Sequence, residues 1–442
     1  TWDELIEVAS RIAREKKISG YLYNAGRWEA AVFDHLPMFW AQGGDLVDAE
    51  GNPVFGLPPN REKMVSVLQF LRDTVAKGAS PRSVLANNDY QQLSSAAIAN
   101  DTAMFLGGSW QFRDMAPSLT PEQLAQWEIA PMPQKEPGVI STGVGGWVWV
   151  SFAKDAVRQQ AASELIQFIE SSKNVGAISL PAHLLPVRRS VYRDFPYFRE
   201  DPFQARFGEW LVTARARPAV RIYPAISEKL QVAIGYAISG EKTPEQAVDG
   251  AWAEVLKVAE RQRADVTPAP SSDPVSFIPA ALTALLLLLA LRTLWQENRA
   301  LVIWLAPAMA LTSAFLLYPM LELLRLAATN LTIAGAGYSY TTASLVSVAT
   351  DPELPRMLFV TLVFVAGSVI LQLAIGLAIA VLIDSARRRG TAGTMLTRAV
   401  VVSAWVIPGV LIGVLWRILL MENRSGIANY LGSMIGLPAL PF

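Results

Sequence analysis

Few side chains in this sequence could do covalent or metal chemistry. It has no cysteine and two histidines, His35 and His183, far apart along the chain. That removes thiolate nucleophiles, disulfides and ordinary zinc sites, and no cofactor is expected. Carboxylates such as Asp34 and Asp45 stand at no spacing that marks an acid/base pair for glycoside hydrolysis. The run from Gly235 to Thr243 (GYAISGEKT) nearly spells a phosphate loop, but Glu241 separates Gly240 from Lys242 and the run reads as a helix end. Aromatic surface is plentiful, with 13 tryptophans. An indole can stack on an apolar C–H face while polar groups hold the rim of the same ligand. Trp110 is best placed for this, because Gly107, Gly108 and Ser109 hold it just past a candidate strand, whereas Trp2, Trp127, Trp210 and Trp252 read as core.

The elements that must position such residues lie in the first 263 positions, where helical and extended patterns alternate in the manner of an α/β domain. Thr1 with Glu4, Thr120 with Gln123 and Thr243 with Gln246 each mark a helix start, the last two with proline at the first helical position. Met64, Val67, Leu68, Leu71 and Val75 form a helical stripe that Gly78 closes. Thr102 to Leu106 reads as a strand, and so does Gly146 to Phe152 (GWVWVSF). A helix from Asp155 to Glu170 is expected to bury Ala162, Leu165, Ile166 and Ile169.

Residues 264–274 (ADVTPAPSSDP) break this pattern and read as a Pro/Ser linker with a reach near 30 Å, at roughly 3 Å per residue. Beyond it the character changes. Val275 to Leu294 is long and apolar enough to cross a hydrocarbon core of about 30 Å. Leu301 to Met320, Met357 to Ile383 and Ala399 to Met421 follow, so four spans are expected, with Pro307, Pro319 and Pro408 bending them. The overall 52% hydrophobic and 17% charged content is the average of one aqueous and one lipid-facing half. Lys+Arg and Asp+Glu both number 38, and nothing in their distribution points to a nucleic-acid partner. Arg292, Arg299, Arg387, Arg388, Arg389 and Arg398 crowd the two short joints, which the positive-inside rule places in the cytoplasm, with residues 1–274 outside. Glu322, Arg325, Asp384 and Arg417 fall near span ends and read as interfacial anchors.

The first half resembles the extracytoplasmic solute-binding proteins of sugar ABC importers. The likeness rests on Thr1-Trp2-Asp3-Glu4-Leu5, on Phe39-Trp40-Ala41-Gln42-Gly43-Gly44 and on Thr102 to Trp110 (TAMFLGGSW). It continues in Gly145-Gly146-Trp147, Leu185-Pro186-Val187-Arg188 and Gly240 to Ala247 (GEKTPEQA). The second half resembles the maltose-permease type of transmembrane subunit, through Trp304-Leu305-Ala306-Pro307, Leu373 to Ala380 (LAIGLAIA) and Ile407-Pro408-Gly409-Val410. Together the two resemblances imply a fused receptor and permease. The fold would be one or more α/β periplasmic-binding-protein-like lobes followed by an all-α transmembrane bundle. Its parts would be a solute-binding domain over 1–263, the linker, a tethering helix over 275–294 and the first part of a permease over 295–442. Most of the first lobe and the ATPase-docking Glu-Ala-Ala loop are expected to lie outside this sequence. The resemblance implies a sugar or oligosaccharide held by Trp40, Trp110, Gly145, Gly146, Trp147 and Tyr223. It also implies an ABC ATPase subunit, a second permease subunit and membrane lipid as partners, a cell-membrane location, and no catalysis by this chain. A membrane-anchored carbohydrate-active enzyme and a sugar sensor are the alternatives.

Overall fold

The computed structural model describes residues 1–264, 273–331, 338–351, 354–390, 409–420 and 427–435, with 395, 397, 399 and 401 singly between them. The chain divides into two compact units, Thr1–Ala259 with Gly409–Phe442, and Glu260–Pro408.

In the first unit, the local signals at helix starts are realised. Capping boxes close over Thr1/Glu4 and Thr120/Gln123, and Thr243 and Gln246 exchange the same pair of bonds at 3.1 and 3.3 Å. The Trp2–Lys16 helix buries Trp2, Leu5, Ile6 and Ala9. It lies against the Ser19–Leu22 strand so closely that a Cβ on Gly20 would stand 2.1 Å from the Ala9 carbonyl oxygen. Gly20→Ala is therefore expected to cost about 2–3 kcal/mol, because backbone must move to admit one methyl. Chemical unfolding followed by tryptophan fluorescence measures it, and an unchanged midpoint would mean that helix and strand separate freely.

Ser19–Leu22 pairs in parallel with Thr102–Phe105, with Tyr21 opposite Met104. Thr142–Val144 pairs in parallel with Ala214–Ala216, with Gly143 opposite Arg215. The core is mostly helical. The Asn60–Ala76 helix buries the expected Met64, Val67, Leu68 and Leu71, and packs on the Tyr223–Ser239 helix, which buries Ile226, Leu230, Ala233, Ile234 and Ala237. Trp2 stacks on Phe70 at 4.8 Å and is buried, as expected of a core ring; Trp127, Trp210 and Trp252 are half-buried.

Two expectations fail together. Gly146 to Phe152 is no strand, and Trp147, Val148 and Phe152 are 96%, 81% and 89% exposed. The following helix does form over Ala156–Ile169, with Asp155 accepting from the Arg158 amide at 2.9 Å, but it buries no residue. Ala162, Ile166 and Ile169 are half-covered and Leu165 is 58% exposed. Alternating β-formers give a strand only where a neighbour supplies the ladder, and among the described residues none pairs with this segment.

The second unit holds three helices long and apolar enough to cross a membrane, Pro274–Glu297, Arg299–Ala327 and Leu354–Arg388. These cover the first three expected spans. Of the fourth run, residues 400, 402–408 and 421 lie outside the described residues, Pro408 among them, as does the linker over 265–272; its described part carries the Gly409–Leu419 helix, which groups with the first unit. Asn298 breaks the first two of these helices apart and caps the second through its side chain, which accepts from Ala300 at 3.0 Å. Pro307 sits inside that helix, and a π-turn at Ser313–Leu317 precedes Pro319. Pro319 has no N–H for the carbonyl four residues back, so the hydrogen-bond ladder shifts there. Apolar side chains of all three helices face outward.

A candidate ligand-binding surface

The chain leaving the Ser19–Leu22 strand runs buried through Tyr23 and Asn24 and then turns, the Gly26 amide donating to the Asn87 carbonyl at 2.9 Å. That contact brings Trp28 to Tyr90, the first residue of a helix capped by Asp89. Trp28 meets the Tyr90 ring edge-on at 5.1 Å, and Trp110 meets the same ring at 5.0 Å. Three aromatic side chains from three separate segments thus form one patch. The Trp110 indole folds back over Gly108, where a Cβ would stand 2.2 Å from the ring, so the glycine before it is a steric requirement. Gln111 braces the same turn by accepting from the Gly108 amide at 3.0 Å. The Nε1 donors of Trp28 and Trp110 are shielded and have no partner in the protein, two unspent donors at the patch.

The Tyr90 hydroxyl ends on Asp34, which is 8% exposed. Tyr90 donates to it at 2.6 Å and Asn24 at 3.1 Å. Burial pushes the Asp34 carboxyl up to about 7, although both hydrogen bonds favour its charged form. Burial and the facing carboxylate also raise the Tyr90 hydroxyl, so it stays a donor. The neighbouring His35 is pushed down to about 4 by burial, and its Nδ1–H donates to the Ala31 carbonyl at 2.9 Å. It is a neutral core residue.

A second polar knot stands at Glu29, next to Trp28 in the chain. Its carboxylate accepts from Arg217 at 2.8 Å, from Tyr223 at 2.6 Å and from Ser227. Burial, then the bond to Glu29, raises the Tyr223 hydroxyl. Arg217 also lies over the Phe33 ring at 4.9 Å. Arg215, two residues earlier, pairs with Asp45 and covers the Trp40 ring at 5.2 Å. The Ala214–Ala216 strand and the residue after it therefore send two guanidiniums onto aromatic rings.

The expected site residues separate accordingly. Trp110 belongs to the aromatic patch and Tyr223 to the Glu29 knot, and a Cβ on Gly145 would stand 3.2 Å from Arg217 Nη2. Trp40 is buried under Arg215; Gly146 has no atom within 4 Å of a Cβ position, and Trp147 projects outward. Sequence reasoning missed Trp28, Glu29, Tyr90 and Arg217. They come from distant segments, and the one local signal among them was the Asp89 cap that fixes Tyr90 at a helix start.

The first unit has the periplasmic-binding-protein-like fold. Residues 1–205 match the family of bacterial extracellular solute-binding proteins. A probable amino-acid ABC transporter periplasmic-binding protein of Sinorhizobium fredii is 25% identical over 269 residues, 59% of this chain and 58% of its own length. Maltose-bound MalE3 of T. maritima superposes with a TM-score of 0.51 at 25% identity, covering 58% of this chain and 65% of that one. The sugar-binding protein MalE of Xanthomonas citri gives 0.50 at 20% identity, over 60% and 65%. The chain thus spans 58–65% of the length of these relatives.

Proposed function

We propose that this chain joins a sugar-binding receptor to the membrane subunit of an ABC importer, without catalysis of its own. The observation that carries the binding role is the Trp28–Tyr90–Trp110 patch, whose central Tyr90 is held by its hydroxyl on the buried Asp34. Rings supply stacking faces for the apolar side of a pyranose, and Glu29, Arg217 and Tyr223 supply a polar rim, with Gly145 beside Arg217. Likeness to maltose-bound and sugar-binding proteins supports a sugar as ligand. The three apolar helices support a membrane-spanning partner function within the same chain, in which an ATPase subunit and a second permease subunit complete the importer. Tethering would hold receptor and permease at an effective concentration in the mM range. The relative described as an amino-acid binding protein, together with the Arg217–Glu29 pair, favours an amino-acid zwitterion as the second reading.

Titration of the purified chain with maltose, other sugars, polyols and amino acids, followed by tryptophan fluorescence and calorimetry, decides between the two. Saturable sugar binding is the expected result. Binding of amino acids alone would move the assignment to the second reading, and binding of neither class would remove it.

Topology is tested on the same cysteine-free background. With Ser339→Cys and Ser385→Cys introduced singly, an impermeant thiol reagent on intact cells is expected to label position 339 and spare 385. The reverse pattern would invert the arrangement.

A further inference from the structure

The strongest polar cluster of the second unit stands where the first apolar helix begins and the second ends. Arg325 donates to Glu322 at 3.0 and 2.6 Å, to Asp273 at 2.9 Å and to the Tyr340 hydroxyl at 2.8 Å. Asp273 Oδ2 also accepts from Tyr340 at 2.8 Å and from Tyr338, while its other oxygen caps the helix start at Val275 at 3.0 Å. The side chains of Arg325 and Asp273 are only 9% and 10% exposed. The hydrogen bond from Tyr338 leads in holding the Asp273 carboxyl below the usual carboxylate range, so it is charged at neutral pH. One acid from the head of the first span, an ion pair from the tail of the second and two phenols from the segment after it thus meet at one point.

Elsewhere the hairpin gives little to hold its helices in register. The Ile278–Glu297 helix buries only Pro279 and Thr283, and the Thr283 hydroxyl is spent on the Pro279 carbonyl at 2.7 Å. Apolar helix faces gain nothing from each other that lipid tails do not also offer, so specific polar contacts weigh heavily in setting which helices pair and how. An arginine at this place with its partners removed would be a charge at the edge of a hydrocarbon layer.

We infer that Asp273, Arg325, Tyr338 and Tyr340 form a clamp that docks the first apolar helix on the second and fixes its register. The helix that begins at Pro274 is by this reading a fixed member of the membrane bundle and not a loose anchor. Glu322 is the positioning partner that orients the guanidinium toward Asp273. The clamp gives a function to Arg325 and Glu322 beyond anchoring at an interface, and it does not depend on what the first unit binds.

Spin labels on Phe277→Cys and Ser339→Cys, both exposed positions, report the separation across the clamp in the full chain held in lipid nanodiscs. A single narrow distance distribution is expected. Arg325→Gln should widen it about twofold or more, and Arg325→Lys, which keeps the charge but not the fork, should widen it less. An unchanged width in Arg325→Gln, with helix content intact, overturns the clamp. Should Arg325→Gln fail to fold, the Tyr338→Phe/Tyr340→Phe double variant keeps both charges and both rings while removing the two phenol donors. Widening in that variant supports the clamp, and an unchanged width overturns it.

Discussion

Replacing Trp110 by alanine is expected to weaken binding of the sugar proposed as ligand by roughly 5- to 150-fold, the equivalent of about 1–3 kcal/mol. The ring is one wall of the patch and also the brace on one side of Tyr90. Its loss removes a stacking face and an indole donor that has no partner inside the protein, so nothing is left unsatisfied to confuse the measurement. The Tyr90 hydroxyl remains tied to Asp34, and Trp28 still meets the Tyr90 ring edge-on, so Tyr90 stays held from two directions. Trp110→Phe separates the two contributions, since it keeps a ring and gives up the donor, and its loss should be the smaller. Titration calorimetry at one pH and salt concentration measures all three proteins. An unchanged affinity in Trp110→Ala would take the ligand away from this patch.

The parts of this molecule that were legible in its sequence are those whose cause is local. A threonine and a glutamine three residues apart settle a helix start by themselves, and both Thr120 and Thr243 do so. The stripe from Met64 to Leu71 faces the core because its spacing matches the helical period, whatever the partner is. The long apolar helices follow from composition alone. Gly146 to Phe152 shows where such reasoning stops, since its alternating Trp and Val residues carry β-propensity while the ladder depends on a neighbour elsewhere in space. The candidate site fails for a related reason. Trp110 could be singled out from the glycines that precede it, but its companions Trp28 and Tyr90 are assembled by the Gly26–Asn87 contact, which leaves no trace in the local spacing. Glu29 and Arg217, 188 residues apart, are joined in the same way.

The folded chain should show almost no pH dependence of stability from the Asp34–His35 pair between about pH 4 and 6.5, because two opposite contributions cancel, and either single replacement should expose the other. Burial pushes Asp34 up from the usual 3.8 to about 7. In that interval the folded protein holds a proton the unfolded chain has released, so this contribution is full at low pH and is lost as pH rises toward 7. Burial pushes His35 down from the usual 6.5 to about 4. Here the unfolded chain holds the proton, so the contribution is full at and above pH 6.5 and is lost as pH falls toward 4. Each amounts to something on the order of 3 kcal/mol across the window, at 1.36 kcal/mol per pH unit. Asp34→Asn removes the first and leaves stability rising with pH by about that amount. The asparagine can still accept from Tyr90, and its amide can donate to Asn24 Oδ1, which has no partner now, so the local structure should hold. His35→Gln removes the second and leaves stability falling by a similar amount. Thermal unfolding of the first unit within the detergent-solubilised chain, recorded at half-unit steps of pH, reads both slopes; at roughly 2–4 °C per kcal/mol each should span several degrees. If His35→Gln stays flat while Asp34→Asn slopes, Asp34 is ionised throughout the window, and the carboxyl bound to Tyr90 is a charge rather than a buried acid.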